Sequence, residues 1–353
     1  LPHWGVASAD ISYEMPIQAD GSTRSAMLFM GTIPSYAGPV RSARVPMGSL
    51  RELWDSAWVF YGWQNWAKGP NLVVDVDDWA LSVHSDARQK GRWVFPFVEG
   101  SERNYSDLFH RENDGEHVAP HNVQINMNAV ASLFTSESTK HPFKFTETGL
   151  DRGVDVSAIT INYKTTNPAY VSSYEYNEMT GLYERYRNGA PYYDALTGAQ
   201  TEYANVIVLR TEVSWYNNAP QRPVIQLVGQ GVAEIFQNGK YIRGTWVRTH
   251  DGKTGDDAKS LPARMIFLDE NGEELEMKVG KTFIQIVNND QAVIVNAGEQ
   301  IEGATAQATP APTATPKPTR TPKPTRTPKA SANATPAPVE GEGNADEDVS
   351  FGG

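Results

Sequence analysis

From about residue 170 to residue 300, apolar and polar residues alternate and strong turn signals recur, a pattern that predicts strands rather than helices. NVIVLRTEV (205–213) reads as one strand. In VIQLVGQGVAEIFQNGKYIRGTWVR, Asn238-Gly239 stands between two apolar runs. That is the local signature of a type I′ hairpin, whose two turn residues both take positive φ. MIFLDENGEELEM repeats the device at Asn271-Gly272, and KTFIQIVNNDQAVIV predicts one more hairpin. Together these runs imply an antiparallel sheet or small barrel with Trp246 packed in its core.

The first half alternates less regularly. GVASADISYE (5–14) leads into a strand, and STRSAMLFMGT (22–32) predicts a second, with Arg24 near its start. A turn at Ser35–Pro39 precedes GPVRSAR (38–44). VPMGSLRELW (45–54) predicts a short helix with Leu50, Leu53 and Trp54 on one face. AWVFYGW (57–63) reads as the next strand, although Trp54 and Trp58, four apart, equally allow one continuous helix to Tyr61. The predicted class is α+β: a mixed α/β N-terminal domain over 1–165, a β-rich antiparallel C-terminal domain over 166–300, and a disordered Pro/Thr-rich tail over 301–353.

Within the tail, TPKPTR occurs twice in tandem from Thr315 and Thr321. Proline at this density favours extended, solvated polyproline II, so the tail reads as a spacer or a wall-contacting stalk of an extracytoplasmic protein. From Thr309 onward, Lys317, Arg320, Lys323, Arg326 and Lys329 balance Glu340, Glu342, Asp346, Glu347 and Asp348, which leaves the chain's net charge of −11 on the residues before it. Deleting residues 309–353 is expected to leave the melting temperature unchanged, because the segment has almost no apolar side chains to bury. A loss of several degrees by calorimetry would show that it docks on the core.

The acidic balance argues against a nucleic-acid partner, which requires a basic face. The absence of cysteine excludes disulfides, thiolate catalysis and cysteine metal sites. No apolar run reaches the ~18 residues of a membrane span, so contact with a membrane is expected only through an anchor upstream of Leu1.

Candidate chemistry lies mainly in the first half. Arg41 and Arg44, three apart after a turn, either grip one anion or tie their loop to Asp10, Glu14 or Asp20. In EHVAPHNVQINMNAV (116–130), Pro120 biases Ala119 towards extended backbone, and His121 beside Asn122 suits a proton donor or phosphate ligand. The proline between His117 and His121 spoils their presentation to a metal. Trp54, Trp58, Trp63, Trp66 and Trp79 form an aromatic cluster for core packing or for stacking a sugar ring. Arg185, among the turns of 176–198, either binds an acidic ligand or closes a loop on an aspartate.

GVASADISYE, STRSAMLF, GPVRSAR and APHN occur in that order, followed by GLYERYRNGAPYYDALTG, ANVIV, GTW and GKTFIQIV. Over roughly residues 5–288 this set resembles the YerB family, bacterial lipoproteins of two domains and unknown function. The resemblance implies an extracytoplasmic protein, secreted or at the cell surface. It departs from the family where Phe60-Tyr61-Gly62-Trp63-Gln64 replaces a His-x-Gly-Gly-Ser stretch, and where Glu116 and His117 replace a second arginine; Arg111 matches the first. The expected function is binding of an anionic wall polymer or phosphorylated glycan through Arg24, Arg41, Arg44, Arg111, His121 and Asn122, with no cofactor and no metal. The alternatives are an envelope enzyme acting on phosphodiester or pyrophosphate linkages, and a scaffold for an envelope protein.

Overall fold

The computed structural model describes residues 1–54, 56–62, 97–100, 106–133, 143–164, 170–215, 223–250, 262–296 and 298–301. Trp63, Trp66, Trp79 and the Pro/Thr-rich tail from residue 302 lie outside them. Residues Leu1–Gln307 form one compact unit, and what is described of it is mostly β with few helices.

The frame is an eight-stranded sheet. Its order runs from β2 (Thr23–Leu28) and β1 (Ile11–Pro16) through Thr282–Asn288, Asn205–Thr211, Gly229–Gln237 and Lys240–His250 to Pro262–Leu268, with Val154–Asp155 paired to Lys240–His250. The β1–β2 ribbon of the first segment is thus built into the sheet of the second. A seven-stranded sheet contains Leu182–Arg187, Val171–Asn177, Ala158–Asn162 and Val293–Val295.

Alternation along Asn205–Thr211 explains the layering. Val206 and Val208 pack with Phe236, Phe283 and Tyr174 against the second sheet. Ile207 and Leu209 pack with Ile284, Trp246 and Leu50 on the opposite face, under helix α1 (Val45–Trp54). A strand covered on both faces has no polar side to show, which is why this run is buried at every position. Trp246 is fully buried, as its pattern predicts.

Helix α1 covers the predicted residues, with Pro46 in the first turn, where its missing N–H costs nothing. Leu50, Leu53 and Trp54 face the core, and the Trp54 indole donates to Tyr13 Oη at 2.9 Å. The guanidinium of Arg248, from the sheet, donates to Ser49 Oγ at 2.9 Å and Ser49 O at 3.0 Å, fixing the helix in place. A continuous helix to Tyr61 does not form. Arg51 Nε donates to Ser56 O at 2.9 Å beyond the helix end, and Trp58–Phe60 is a strand.

Three details differ from the pattern. The sheet is not wholly antiparallel: Thr282–Asn288 is parallel to both β1 and Asn205–Thr211. KTFIQIVNNDQAVIV is not a hairpin, since Thr282–Asn288 stays in the first sheet while Val293–Val295 pairs with Ala158–Asn162 in the second. Arg210 holds that crossover through the carbonyls of Asn289 at 3.3 Å and Gln291 at 2.5 Å. At Asn271-Gly272 only Gly272 takes positive φ, and Asp269 Oδ1 accepts from the amides of Asn271 and Glu273. The result is a wider loop closed by the Leu268–Glu274 bridge. Asn238-Gly239 does form the two-residue turn, with φ of 52° and 69°.

Candidate functional site

A small antiparallel sheet of Tyr36–Ala37, Val123–Asn126 and Phe109–Arg111 carries Arg111 and is entered through His121 and Asn122, while Arg24 stands on β2 and Arg41 and Arg44 in loop 38–44. Phe109, Val123, Ile125, Met127 and Val130 form its own core, with helix α2 (Met127–Ser132) capped by the Asn126 side chain on Ala129 N at 3.0 Å. Loop 38–44 lies against this sheet. Val40 N donates to Val123 O at 2.7 Å, and Tyr61 N to Arg41 O at 3.1 Å. Gly38 is required there, because a Cβ would stand 2.6 Å from Val123 O.

Arg41 is half-buried. Its Nη1 donates to Pro120 O at 2.6 Å, while its Nε is buried with no acceptor among the described residues. Desolvation, then the neighbouring charge of Arg111, hold its pKa below the usual arginine value. Arg111 is exposed, lies 5.4 Å from the centroid of the Tyr61 ring and donates from Nη1 to Asn122 Oδ1 at 2.9 Å. Asn122 is buried and returns its Nδ2 to Glu112 O at 2.8 Å, so it aims Arg111 rather than facing solvent. Arg24 donates to Ser42 O. The His121 ring is exposed. Partial desolvation, then the charges of Arg41 and Arg24, hold its pKa below the ordinary histidine range.

Arg24 and Arg41 thus lie close enough to act on His121, and Arg111 close enough to act on Arg41, which makes a cationic spot of the four although 80 positions separate Arg41 from His121. Arg44 does not join it as a matched fork. Its side chain is buried and donates to the carbonyls of Ala43 at 2.8 Å and Ser42 at 3.3 Å. Tyr61 was not among the candidate binding residues, although it lies in the run Phe60-Tyr61-Gly62-Trp63-Gln64 that departs from the family pattern. The Ala119–Pro120 peptide is cis.

His117 is buried and structural. Its Nδ1 lies 2.6 Å from Asp114 Oδ2, its Nε2 lies 2.8 Å from Pro2 O, and its ring stacks on Trp4 at 3.8 Å. Trp58 leans on Phe60 at 4.9 Å. Among the described residues, no group of three or more His, Asp or Glu is arranged to hold a metal ion, and no helix is long and apolar enough to cross a membrane. A groove of about 470 Å³ lined by Tyr176, Glu178, Asn238 and Asn296, among others, contains none of the six candidates.

The carboxylates proposed as internal partners of Arg41 and Arg44 are engaged elsewhere. Asp10 accepts from the amides of Met30 and Gly31, and Asp20 from that of Ser22. Glu14 is buried between Arg185, at 3.0 Å, and Arg187. Arg185 thus closes on a glutamate of β1 rather than on an aspartate, and its guanidinium lies between the rings of Tyr192 and Phe283.

Two family models match the chain. The C-terminal domain of the protein of unknown function DUF3048 matches residues 159–284, and its N-terminal domain matches residues 1–140. The chain is 24% identical over 306 residues to a Bacillus subtilis (strain 168) protein named "Putative lipoprotein YerB", covering 85% of this chain and 81% of that one. The crystal structure of YerB protein from Bacillus subtilis is similar in fold, with a TM-score of 0.61 at 23% identity, covering 81% of this chain and 86% of that one.

Proposed function

The chain belongs to the YerB-like DUF3048 family, and from that premise we propose that it is an extracytoplasmic protein of the cell envelope that binds a phosphate-bearing wall polymer or phosphorylated glycan at the cationic spot. The observation that carries this reading is Arg41: half-buried, with Nε lacking an acceptor among the described residues, and next to the like-charged Arg111. Two guanidinium groups held together disfavour each other, and an anion bridging them reverses the sign of that interaction. Tyr61 and Asn122 hold Arg111 in place without neutralising it. In a protein of net charge −11, such a spot is needed to hold an anion against the overall field.

Isothermal titration with poly(glycerol phosphate) at low salt tests the proposal. A charge-assisted hydrogen bond is worth about 1.5–3 kcal/mol, so Arg41→Ala is expected to weaken binding roughly 10- to 100-fold. Arg41→Ala with Arg111→Ala should weaken it further and flatten the salt dependence. Binding should tighten as pH falls below the ordinary histidine range, because the anion favours the protonated His121 that the arginines disfavour. His121→Ala should remove that pH dependence alone. Parent-like affinity in the double arginine variant would remove the basis of the proposal.

A further inference from the structure

We propose that the loop around Val118 is a docking surface for an anionic lipid bilayer, with Val118 entering the interface and Arg41 and Arg111 holding lipid phosphates behind it. This rests on the cationic spot described above and names where its phosphate ligand is presented. Val118 is 63% exposed and Leu1 is 56% exposed. The two are brought near each other because Pro2 O meets His117 Nε2 at 2.8 Å, one residue before Val118.

The loop cannot easily fold this apolar tip away. His117 is clamped by Asp114, Pro2 and Trp4, and His121 N donates to Val118 O at 2.8 Å, closing the turn. Two residues further on, Pro120 O takes Arg41 Nη1 at 2.6 Å, which ties a cation to the same loop. An exposed apolar tip backed by fixed cations is the arrangement that holds a protein on an anionic membrane surface. The chain's net charge is −11, and outside the Lys/Arg run of residues 317–329 its balance is acidic, so such a surface favours this cationic face over the other described faces. Of the loop's own carboxylates, Asp114 is bonded to His117 and Glu112 lies 3.7 Å from His110. Glu116 is exposed and opposes docking, so Glu116→Gln should strengthen it.

Co-sedimentation of the full chain is measured with phosphatidylcholine vesicles, with and without phosphatidylglycerol at roughly one part in three. Binding of poly(glycerol phosphate) is measured in parallel. The parent is expected to bind the anionic vesicles and not the neutral ones. Val118→Asp, at a side chain that is mostly exposed, should lower vesicle binding about ten-fold and leave polymer binding intact. Arg41→Ala with Arg111→Ala should lower both, by about five-fold per arginine on vesicles. Val118→Asp binding anionic vesicles like the parent overturns the proposal, as does equal binding to neutral vesicles or binding of the soluble polymer alone. Loss of neither activity in the double arginine variant overturns the cationic-spot reading instead.

Discussion

Glu14→Gln is expected to lower the melting temperature by roughly 10 °C. Glu14 is 2% exposed, in the middle of a strand whose every residue is buried. Its carboxylate accepts from Thr23 Oγ1 at 2.6 Å, Ser172 Oγ at 2.8 Å, Gln285 Nε2 at 3.0 Å and Arg185 Nη2 at 3.0 Å, and it also meets Arg187. Glutamine keeps the shape but leaves two arginines without a counter-charge, one of them only 3% exposed. Breaking a buried pair in this way costs about 3–5 kcal/mol. At about 2–4 °C per kcal/mol for a unit of this size, the fall follows.

Acid titration gives the same network a second signature. Burial raises the Glu14 carboxyl, but Arg187 and Arg185, with Thr23 and Gln285, outweigh it and bring the pKa from 4.5 down to about 2. A depressed carboxyl stabilises the fold fully above its unfolded value, and that stability is lost as pH falls through the folded one. The parent should therefore lose stability between pH 4.5 and 2, and Glu14→Gln should lack that component. His3 adds to the acid slope in a higher window. Burial and Arg185 lower it from 6.5 to about 3, so the unfolded chain takes up this proton first as pH falls below 6.5. A glutamine variant melting within about 2 °C of the parent would show that the network compensates nothing.

Gly231→Ala is expected to cost about 2–4 kcal/mol, the sum of overpacking and a lost buried hydrogen bond. Gly231 pairs with Trp246 on the neighbouring strand, and the indole Nε1 passes over it to donate to Arg210 O at 2.7 Å. An added Cβ would stand 2.5 Å from both of those atoms. The sheet cannot yield at Arg210, whose Nε is bonded at 2.8 Å to the fully buried Glu234. Denaturant unfolding of Gly231→Ala, Trp246→Phe and the double variant checks this. The alanine should cost less beside phenylalanine, since the smaller ring vacates the contact. Additive losses would mean that the indole is not what Gly231 accommodates.

The features readable from the chain alone are those that a few neighbouring residues decide. Asn238-Gly239 turns as predicted because both residues tolerate positive φ and the flanking strands are apolar. Helix α1 spans its predicted residues because Leu50, Leu53 and Trp54 recur at helical spacing. The candidate site was half legible in the same way: loops rich in arginine, histidine and proline stand out from the strands that hold them, and the charges of Arg24 and Arg41 act on His121 as that of Arg111 acts on Arg41. Which partners they take depended on segments far apart in the chain. Arg44 turned inward because carbonyls of its own loop were within reach, and Glu14 paired with arginines 171 and 173 positions away. Thr282–Asn288 became the parallel centre of a sheet because both its faces found apolar cover, from Ile284 and Ile286 on one side and Phe283 and Val287 on the other. Alternation and turn chemistry act over a few residues, whereas burial of a charge or a sheet face depends on segments that only the folded chain brings together.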